Sequence, residues 1–474
     1  MIVKNREELL SHGNIRARKT ALDIIDQAME RIDASRLTRE LVQRENDMLK
    51  VGSFYFDLSR AGDIYVLGAG KAVLQIAEAL EDILGDRISR GVVVEKRLDG
   101  MPKGLERIGR FKRIKVLQAS HPVPDEAAVE GARKILAVAE KATAQDMVFF
   151  CVQGGCTCLT TLPAPGLTIE DLRQTTQVLL ESGADIIVLN AVRNALTTLS
   201  SGRLAQYIHP AFIINLVVND YVLRYPQAAQ GGRYGAGWGP AVPVSEKRRL
   251  DFAAALDALD EHGLWAKLPE PVALYLKRHK DDRQVLTTED FAGMGIRQHT
   301  LVLADPQDAA EAACRAATDL GLNALVLSSC LEGEAREVGI MLAGIAAEIA
   351  RNQRPAPAPC AVICAGEKTV TLTGPHGEGG RNQECALSAA QRIDGARQVA
   401  IASVGTDGTD GPTDIAGGIV DGYSMERARE MGIGLTEALQ SHSSAQTLGA
   451  LGDAIYFNEP GNNVCDLSVI VVEA

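Results

Sequence analysis

Residues 63–71 read DIYVLGAGK, an apolar run that ends in a glycine turn and a lysine. Such a run is typical of a buried strand, and the glycines permit a tight turn into a helix that we expect to begin at Ala72. The pattern recurs at residues 147–152 (MVFFCV), where a second apolar run ends at Gly154 and Gly155. Buried strands that alternate with glycine turns and helices predict a parallel sheet with helices on both faces.

The chain is long enough for more than one domain. Residues 1–50 are expected to be helical, and the alternation of strands and helices resumes after Thr300. Between these two parts lies a polar, charge-dense stretch, residues 277–290. We place the boundary there and predict an N-terminal domain of residues 1–285 and a C-terminal α/β domain of residues 286–474.

The charge balance excludes some classes of partner. The 474 residues include 49 Lys plus Arg and 61 Asp plus Glu, a formal net charge of −12. An acidic chain without a long basic run is ill suited to non-specific nucleic-acid binding, so we expect no nucleic-acid partner. No apolar run reaches the about 18 residues of a membrane span, and the first residues lack the apolar core of a signal peptide.

The nine cysteines contain no CxxC pair, which fits reduced thiols. Together with the missing membrane signals, this predicts a cytoplasmic protein without a membrane partner.

Lys71 lies where the first strand is expected to give way to a helix, directly after Gly68 and Gly70. Free N–H groups at a helix start attract anions, and a lysine beside them adds positive charge, so the turn is a candidate phosphate site. The common templates do not fit. A Walker A motif needs Ser or Thr directly after the lysine, and the dinucleotide fingerprint needs a third glycine at Val73. An ordinary strand-to-helix turn remains the alternative.

Residues 377–384 (GEGGRNQE) place flexible glycines and Arg381 at the expected start of another helix. An arginine there can hold phosphate oxygens with two parallel hydrogen bonds, next to the helix N–H groups. The alternative is a structural ion pair between Arg381 and Glu384.

Residues 406–414 (TDGTDGPTD) follow an apolar run and hold three carboxylates in a glycine-rich loop. Buried carboxylates are costly unless they are paired or used. The spacing departs from an EF-hand loop, and Mg²⁺ with a phosphate ligand fits better. Asp407 and Asp410 are therefore candidate Mg²⁺ ligands, with a general base as another role for Asp407 and turn capping as the alternative for both.

Two further segments hold candidate substrate contacts. His121 lies in a rigid loop, residues 120–125 (SHPVPD). Arg193 and Arg203 flank residues 196–202 (LTTLSSG). A buried arginine in such a place either binds a carboxylate or pairs with a neighbouring group.

In their order along the chain, these motifs resemble the glycerate 2-kinase family, the MOFRL-type kinases once described as hydroxypyruvate reductases. The resemblance implies a Rossmann-like N-terminal domain, a smaller C-terminal α/β domain and an active-site cleft between them. It rests on residues 68–72 (GAGKA), 121–125 (HPVPD), 162–166 (LPAPG), 202–205 (GRLA), 379–384 (GGRNQE) and 406–412 (TDGTDGP).

The resemblance also implies a reaction: transfer of the γ-phosphoryl group of ATP, with Mg²⁺, to the 2-hydroxyl of glycerate or a related small hydroxy acid. By motif position, the catalytic residues fall on Lys71, Arg381 and Asp407. The expected cofactor-binding residues are Gly68, Gly70, Gly154, Gly155, Thr157, Gly379 and Gly380. The expected substrate-binding residues are His121, Arg193, Arg203 and Asp220.

Several segments depart from the family pattern. Residues 153–158 (QGGCTC) stand where the family usually has SGGGSA, and Asn194 and Ala195 stand where it has Lys and His. Of an aspartate-rich loop, only Asp220 is left. A lost charged hydrogen bond costs about 1.5–3 kcal/mol, so we expect D-glycerate to be a poor substrate and another hydroxy acid to be preferred. Candidates for replacement contacts are Tyr221, Arg224, Tyr225, Arg233 and Tyr234.

Two other functions stay open. An NAD(P)-dependent hydroxypyruvate reductase would need the complete dinucleotide fingerprint. A non-catalytic relative that binds an acid or a nucleotide would account for the altered segments 153–158 and 194–201. The sequence does not decide the assembly state, for which a homodimer is our expectation.

Overall fold

The computed structural model describes residues 1–97, 111–182, 186–222, 239–244, 252–282, 285–372, 374–458 and 460–474. Arg224, Tyr225, Arg233 and Tyr234, expected above to contact substrate, lie outside the described residues. Among the helices that are described, none combines the length and the apolar character required to span a bilayer.

Fifteen strands form within the described residues, and most of them are buried. In chain order they are β1 (Val42–Glu45), β2 (Met48–Val51), β3 (Phe54–Asp57), β4 (Ile64–Gly70), β5 (Ile88–Lys96), β6 (Ile114–Ala119), β7 (Met147–Val152), β8 (Phe212–Val218), β9 (Gln298–Ala304), β10 (Asn323–Glu334), β11 (Cys360–Thr369), β12 (Val399–Gly405), β13 (Gly417–Asp421), β14 (Ala454–Ile455) and β15 (Asp466–Val472).

The same residues form eighteen α-helices, and short 3₁₀ helices cover Gly85–Arg87 and Trp265–Lys267. The α-helices are α1 (Arg6–Leu9), α2 (Ile15–Arg31), α3 (Ala34–Leu41), α4 (Val73–Leu84), α5 (Glu126–Ala139), α6 (Cys156–Leu159), α7 (Ile169–Glu181), α8 (Ile186–Ala195), α9 (Leu204–Ile208), α10 (Phe252–Glu261), α11 (Glu270–Arg278), α12 (Thr288–Met294), α13 (Pro306–Asp319), α14 (Ala335–Asn352), α15 (Arg381–Arg392), α16 (Ser424–Glu430), α17 (Leu435–Gln440) and α18 (Ser444–Leu451).

The chain divides into two compact units, and each is discontinuous. The parallel-sheet unit contains Ser35–Asn219 and Ala228–Leu303, and the mixed-sheet unit contains Met1–Ala34, Asp220–Gln227 and Ala304–Ala474. These units differ from the single boundary between residues 285 and 286 that the sequence predicts. The difference arises because α2 packs on β12 and β15, and because β9 joins the sheet that contains β8.

The parallel-sheet unit has six strands in the order β6-β5-β4-β7-β8-β9. Every registered pair from β6 to β8 is parallel. Counted from β4, the order is 3-2-1-4-5-6, which is the strand order of doubly wound dinucleotide-binding folds. All seven residues of β4 are buried, as the apolar run predicted. The predicted α/β class and the parallel sheet are therefore confirmed.

The mixed-sheet unit has six strands in the order β10-β11-β15-β12-β13-β14. The pair β10–β11 is parallel and the other pairs are antiparallel. The helix α15 packs on β12 and β13. Its apolar residues join the core of this unit, whereas Asn382, Gln383 and Glu384 in its first turn are buried polar residues. This arrangement places β15 in the middle of the sheet, between β11 and β12.

The prediction of a helical segment over residues 1–50 is wrong from Val42 onward. There the chain forms an antiparallel sheet of β1, β2 and β3. Asn46 adopts a positive φ of 53° in the tight turn that pairs Glu45 with Met48. Asn is one of the few residues that accept this conformation, so local turn chemistry outweighed helical periodicity.

A buried ion network joins α2 to the sheet of the mixed-sheet unit. The Arg18 side chain is fully buried, and its Nε donates to Asp421 Oδ2 at 2.5 Å while its Nη2 donates to Asp453. Arg427 also donates to Asp453, at 2.7 Å. Burial alone would raise the pKa of Asp453, but Arg18, a hydrogen bond from His12 and the charge of Arg427 outweigh it and lower that pKa.

We expect Arg18→Met to lower the free energy of unfolding of the mixed-sheet unit by about 3–5 kcal/mol, because it removes the fully buried cation that pairs with both Asp421 and Asp453. Arg16→Met is the matched control. The Arg16 side chain is 80% exposed and pairs with Glu473 on the surface, so its loss should cost less than about 1 kcal/mol. Denaturant unfolding of both variants measures the difference, and equal midpoints would contradict the role of Arg18.

Candidate functional site

The first group of candidate residues lies at one edge of the parallel sheet. Lys71 follows β4, His121 follows β6 and Gly154 follows β7. The carboxyl ends of parallel strands meet at the same edge, and the strand order reverses between β4 and β7. A doubly wound sheet binds its ligands in the crevice at that reversal, so Lys71 and Gly154 stand where a ligand is expected.

Backbone contacts tie the turn after β4 to the loop after β7. The N–H of Lys71 donates to the carbonyl of Gly154 at 3.0 Å. The N–H of Ala72, just before α4, donates to Oε1 of Gln153 at 2.8 Å. The structure therefore brings Lys71 and Gly154 together. The side chain of Gln153 accepts from the N–H of Ala72, which is one of the N–H groups that the sequence suggested for anion binding.

Gly68 and Gly70 have a packing explanation. A Cβ on Gly68 would lie 2.4 Å from the carbonyl oxygen of Cys151, and one on Gly70 would lie 2.4 Å from Cβ of Gln153. Both glycines are thus required where β4 and β7 approach closely. Their role in binding a nucleotide stays a prediction.

His121 lies against the loop that follows β7. Gly155 has a φ of +84°, and a Cβ there would lie 2.7 Å from Cδ2 of His121. Arg193 donates from Nη2 to the carbonyl of Pro122 at 2.7 Å and so braces the His121 loop. Thr157 is half-buried within α6, beside this loop. Lys71, Gly154, Gly155, His121 and Arg193 therefore form one group.

Arg203 supports the backbone of the altered segment. Its Nε donates to the carbonyl of Ser200 at 2.8 Å and its Nη2 to that of Asn194 at 2.7 Å. Burial lowers the pKa of Arg203 to about 10 and also lowers the pKa of Arg193. A cavity of about 560 Å³ includes Arg203 in its lining, together with Tyr207. Contact of Arg193 and Arg203 with substrate stays a prediction.

The second group of candidate residues lies in the mixed-sheet unit, where Arg381 begins α15. Its Nε donates to Oδ1 of Asp466 at 2.9 Å and its Nη1 to Oε1 of Glu367 at 3.0 Å. Within the described residues, Nη2 has no hydrogen-bond acceptor, and 33% of the side chain is exposed. Burial alone would lower the pKa of Arg381, but Asp466 and Glu367 raise it well above its ordinary value.

The alternative pair of Arg381 with Glu384 is wrong. Glu384 is buried and instead pairs with Nδ1 of His442 and, at 3.6 Å, with Nη2 of Arg336. The side chain of Glu384 follows the buried face of α15, whereas Arg381 at the first position turns toward Asp466.

The carboxylate of Asp410 binds the N–H groups at the start of α15. Its Oδ2 accepts from the backbone N–H groups of Asn382 and Gln383, both at 2.9 Å. A Cβ on Gly380 would lie 2.3 Å from Cγ of Asp410, so glycine is required for this approach. Gly379 makes a similar approach to Ser444. The N–H groups that we expected to hold phosphate are thus bound by Asp410, and its role as a metal ligand stays a prediction.

The two buried carboxylates near Arg381 have opposite pKa shifts. Burial, with the negative charge of Asp466 nearby, raises the pKa of Asp410 to about 6. Burial also disfavours the charge of Asp466, but Arg381 and Lys368 outweigh it and lower that pKa to about 2. Lys368 Nζ lies 3.1 Å from Asp466 Oδ2, so Asp466 is the carboxylate that remains ionised.

Asp407 and Asp220 complete the candidate set. Asp407 lies in the turn after β12 and is half-exposed, and its Oδ1 accepts from N and Oγ1 of Thr409, both at 3.2 Å. Asp220 belongs to the mixed-sheet unit and accepts from Nδ2 of Asn463 at 3.1 Å. In the part of the chain that the structure describes, no group of three His, Cys, Asp or Glu side chains is placed to hold a metal.

Sequence reasoning missed Asp466, Lys368 and Glu367. Asp466 stands directly before the largely apolar run LSVIVV, and Glu367 and Lys368 stand directly after the largely apolar run CAVICAG. A charged residue at the end of an apolar strand was the available signal, but only the pairing of β11 with β15 makes these residues partners.

We expect the stability of the protein to depend on pH through Asp410. Its folded-state pKa of about 6 lies above the ordinary 3.8, so the folded protein binds a proton there before the unfolded chain does. Relative to Asp410→Asn, the free energy of unfolding of the wild type should therefore rise by up to about 3 kcal/mol as pH falls from 7 to 4. Unfolding across that range measures it, with the exposed Asp414→Asn as control. Parallel pH curves for wild type and Asp410→Asn would contradict the shift.

Comparison with known sequences shows that two protein-family models match this chain. A domain of unknown function, DUF4147, matches residues 20–277, and the MOFRL family matches residues 360–466. Glycerate 2-kinase of Pyrococcus horikoshii is 35% identical over 96% of this chain and 97% of its own length. D-glycerate 2-kinase of Thermotoga maritima is 32% identical over 95% of this chain and 97% of its own, and human glycerate kinase is 30% identical over 89% and 86%.

Solved structures agree with this assignment. The crystal structure of a Pyrococcus horikoshii protein matches with a TM-score of 0.71 and 34% identity, over 96% of this chain and 98% of the other. The crystal structure of glycerate kinase from Thermotoga maritima matches with a TM-score of 0.74 and 30% identity, over 96% and 99%. With such identity across nearly the whole length, this chain belongs to the glycerate kinase family and is a kinase-type phosphotransferase.

Proposed function

We propose that the protein is an ATP-dependent kinase that phosphorylates the 2-hydroxyl of glycerate or a related small hydroxy acid. One observation carries the proposal: Arg381 is anchored through Nε and Nη1, while its Nη2 has no acceptor among the described residues. The names of the relatives, which are glycerate kinases, support the same reaction.

Phosphoryl transfer needs positioning and charge neutralisation more than covalent chemistry. Negative charge spreads over the oxygens of the transferred group, and fixed cations stabilise it. We assign Lys71 and Arg381 to this role. Lys71 stands at the reversal of strand order in the parallel sheet, and Arg381 has a guanidinium held in place by two carboxylates.

We propose that the loop after β7 contacts the phosphates of ATP. Gly154 and Gly155 have no side chains to obstruct an approach, and the carbonyl of Gly154 already fixes Lys71 beside them. Thr157, in the short helix α6 that follows this loop, is a further polar side chain for these contacts. Gly379 and Gly380 are packed against Ser444 and Asp410, so their contribution is to shape the turn before Arg381.

We propose Mg²⁺ as the metal, with Asp407 as its protein ligand. Mg²⁺ is usually bound by one or two carboxylates together with substrate phosphates and water, and it neutralises charge on the transferred group. Asp407 is half-exposed and fits this donor set. Asp410 is 3% exposed and its carboxylate already accepts several N–H bonds, so it is the weaker candidate.

In the reaction the 2-hydroxyl oxygen forms a bond to the γ-phosphorus, and the bond from that phosphorus to the ADP oxygen breaks. The hydroxyl proton needs an acceptor, and a carboxylate such as Asp407 is the alternative assignment for that task. The carboxylate of the acid needs cationic or hydrogen-bonding partners, for which we propose His121, Arg193 and Arg203. Asp220 stays a further candidate for substrate binding.

Location and assembly are part of the proposal. All nine cysteines lie in the described residues as thiols without disulfides, which supports a reducing compartment such as the cytoplasm. A homodimer is the assembly that we propose. The reductase alternative is disfavoured because Val73 stands where the third glycine of the dinucleotide fingerprint would be.

The direct test is product formation. We expect ADP to form from ATP when both Mg²⁺ and a small hydroxy acid are present, and the rate to vanish with a chelator, because the transferred charge is then unscreened. A coupled assay for ADP measures it, and absorbance of NADH with hydroxypyruvate serves as the control. Steady, enzyme-dependent loss of NADH without ADP formation would favour the reductase.

We expect Lys71→Ala to lower kcat by about 100-fold or more, because it removes a cation that stabilises the transition state. We expect Arg381→Lys to lower kcat by at least about tenfold, because it keeps the charge but loses the planar guanidinium. Arg381→Lys keeps a positive charge beside Asp466 and so protects folding. Lys134→Ala and Arg429→Ala remove surface ion pairs of the two units and are the controls. Normal turnover in Lys71→Ala or Arg381→Lys would exclude that residue from the mechanism.

The altered segments 153–158 and 194–201 predict that D-glycerate is used about ten- to a hundredfold less efficiently than another hydroxy acid, because charged contacts are lost. The names of the relatives favour glycerate itself. Comparison of kcat/KM for D-glycerate with four- and five-carbon hydroxy acids decides between them. If D-glycerate leads, the departures leave substrate choice unchanged.

A further inference from the structure

We propose that Asp466 is a positioning residue that sets the orientation of Arg381 for phosphoryl transfer. The inference rests on the proposed function. Asp466 is the first residue of β15, and its carboxylate joins the sheet of the mixed-sheet unit to Nε of the guanidinium at the start of α15, beside the contact that Glu367 of β11 makes with Nη1.

Both oxygens of Asp466 are fully engaged. Oδ1 accepts from Nε of Arg381 at 2.9 Å and from Nδ2 of Asn382 at 2.8 Å. Oδ2 accepts from the backbone N–H of Lys368 at 3.0 Å and pairs with Nζ of Lys368 at 3.1 Å. The residue is 1% exposed. Any rotation of the carboxylate would break several of these bonds, so its position is over-determined.

The backbone of Asp466 is equally fixed. It pairs with Gly366 of β11 on one side and with Gly405 of β12 on the other. A residue in the central strand of a sheet moves only if both neighbours move. The carboxylate therefore transmits the rigidity of the sheet to a side chain at a helix terminus, which would otherwise have several rotamers.

Arg381 is consequently held at two of its three nitrogens, Nε by Asp466 and Nη1 by Glu367. The guanidinium plane is then defined before any ligand binds, and, as far as the described residues show, Nη2 is the nitrogen left for a phosphoryl oxygen. A cation oriented in advance contributes more to a transition state than one that must be ordered during the reaction.

Lys368 has a separate task in this arrangement. Its buried ammonium gives Asp466 a second cation, so the negative charge of Asp466 is shared between Lys368 and Arg381. Since Lys368 is 2% exposed and Nζ is directed to Asp466, it acts through that carboxylate rather than on a ligand.

The test is a double-mutant cycle in kcat. We expect Asp466→Asn to lower kcat by about tenfold or more with little change in KM, because the loss concerns the transition state. In an Arg381→Lys background the same change should cost less than about threefold, because no oriented guanidinium remains to be lost. Equal losses in both backgrounds would show a merely structural role and overturn the proposal.

Asp421→Asn is the matched control. Asp421 is another buried carboxylate of the mixed-sheet unit, but it pairs with Arg18 rather than Arg381. We expect it to lower Tm while leaving kcat of the folded fraction unchanged. If Arg381→Lys turns over normally, the role of Arg381 in the proposed function fails. If Arg381→Lys is impaired while Asp466→Asn is normal, only the present inference fails.

Lys368→Met tests the same idea should Asp466→Asn fail to fold. Loss of the lysine raises the pKa of Asp466, because Lys368 is one of the cations that lower it. Protonated Asp466 holds Nε of Arg381 less firmly, so kcat of Lys368→Met, expressed relative to wild type at the same pH, should fall as pH is lowered from 7 to 5. Asp410, the other buried carboxylate near Arg381, titrates in both proteins, so the ratio cancels its contribution. A ratio that stays constant in the folded variant would overturn the proposal.

Discussion

The carboxylate of Asp466 is the contact on which the arrangement around α15 depends. A buried carboxylate is tolerated only where donors and cations match it, and here Arg381, Lys368 and Asn382 do so. The second buried carboxylate, Asp410, lacks such close cations among the described residues. Burial and the negative charge of Asp466 raise its pKa, although its backbone N–H bonds act in the opposite direction, whereas Arg381 and Lys368 lower the pKa of Asp466. Two aspartates thus have opposite pKa shifts because their surroundings differ.

In the parallel-sheet unit, the strand order brings loops that are distant in the sequence to one edge of the sheet. The reversal of strand order between β4 and β7 sets the turn after β4 against the loop after β7. Close packing there requires Gly68 and Gly70, and the N–H of Lys71 is tied to the carbonyl of Gly154. Arg193 and Arg203 bind backbone carbonyls in the same unit, which makes them supports of the loops in addition to candidate contacts.

Much of this could be predicted from the sequence, because apolar runs and glycine turns act locally. The buried strands, the parallel sheet and the motifs at Lys71 and Arg381 were recognisable in this way. The hairpin after Val42 was not, since the turn at Asn46 outweighs the helical pattern before it. The unit boundaries also escaped prediction, because α2 and β9 join sheets whose other strands lie far away in the sequence.

The sequence by itself determined the fold class, the order of the motifs and the membership in the glycerate kinase family, since each depends on short stretches whose spacing is directly visible. Tertiary structure alone decided which charges meet. It placed Asp410, rather than a ligand, on the first N–H groups of α15, and it paired Arg381 with Asp466 and Glu367 instead of Glu384. The reason is physical: an ion pair forms through space, and residues 381 and 466 become neighbours only when β15 inserts between β11 and β12.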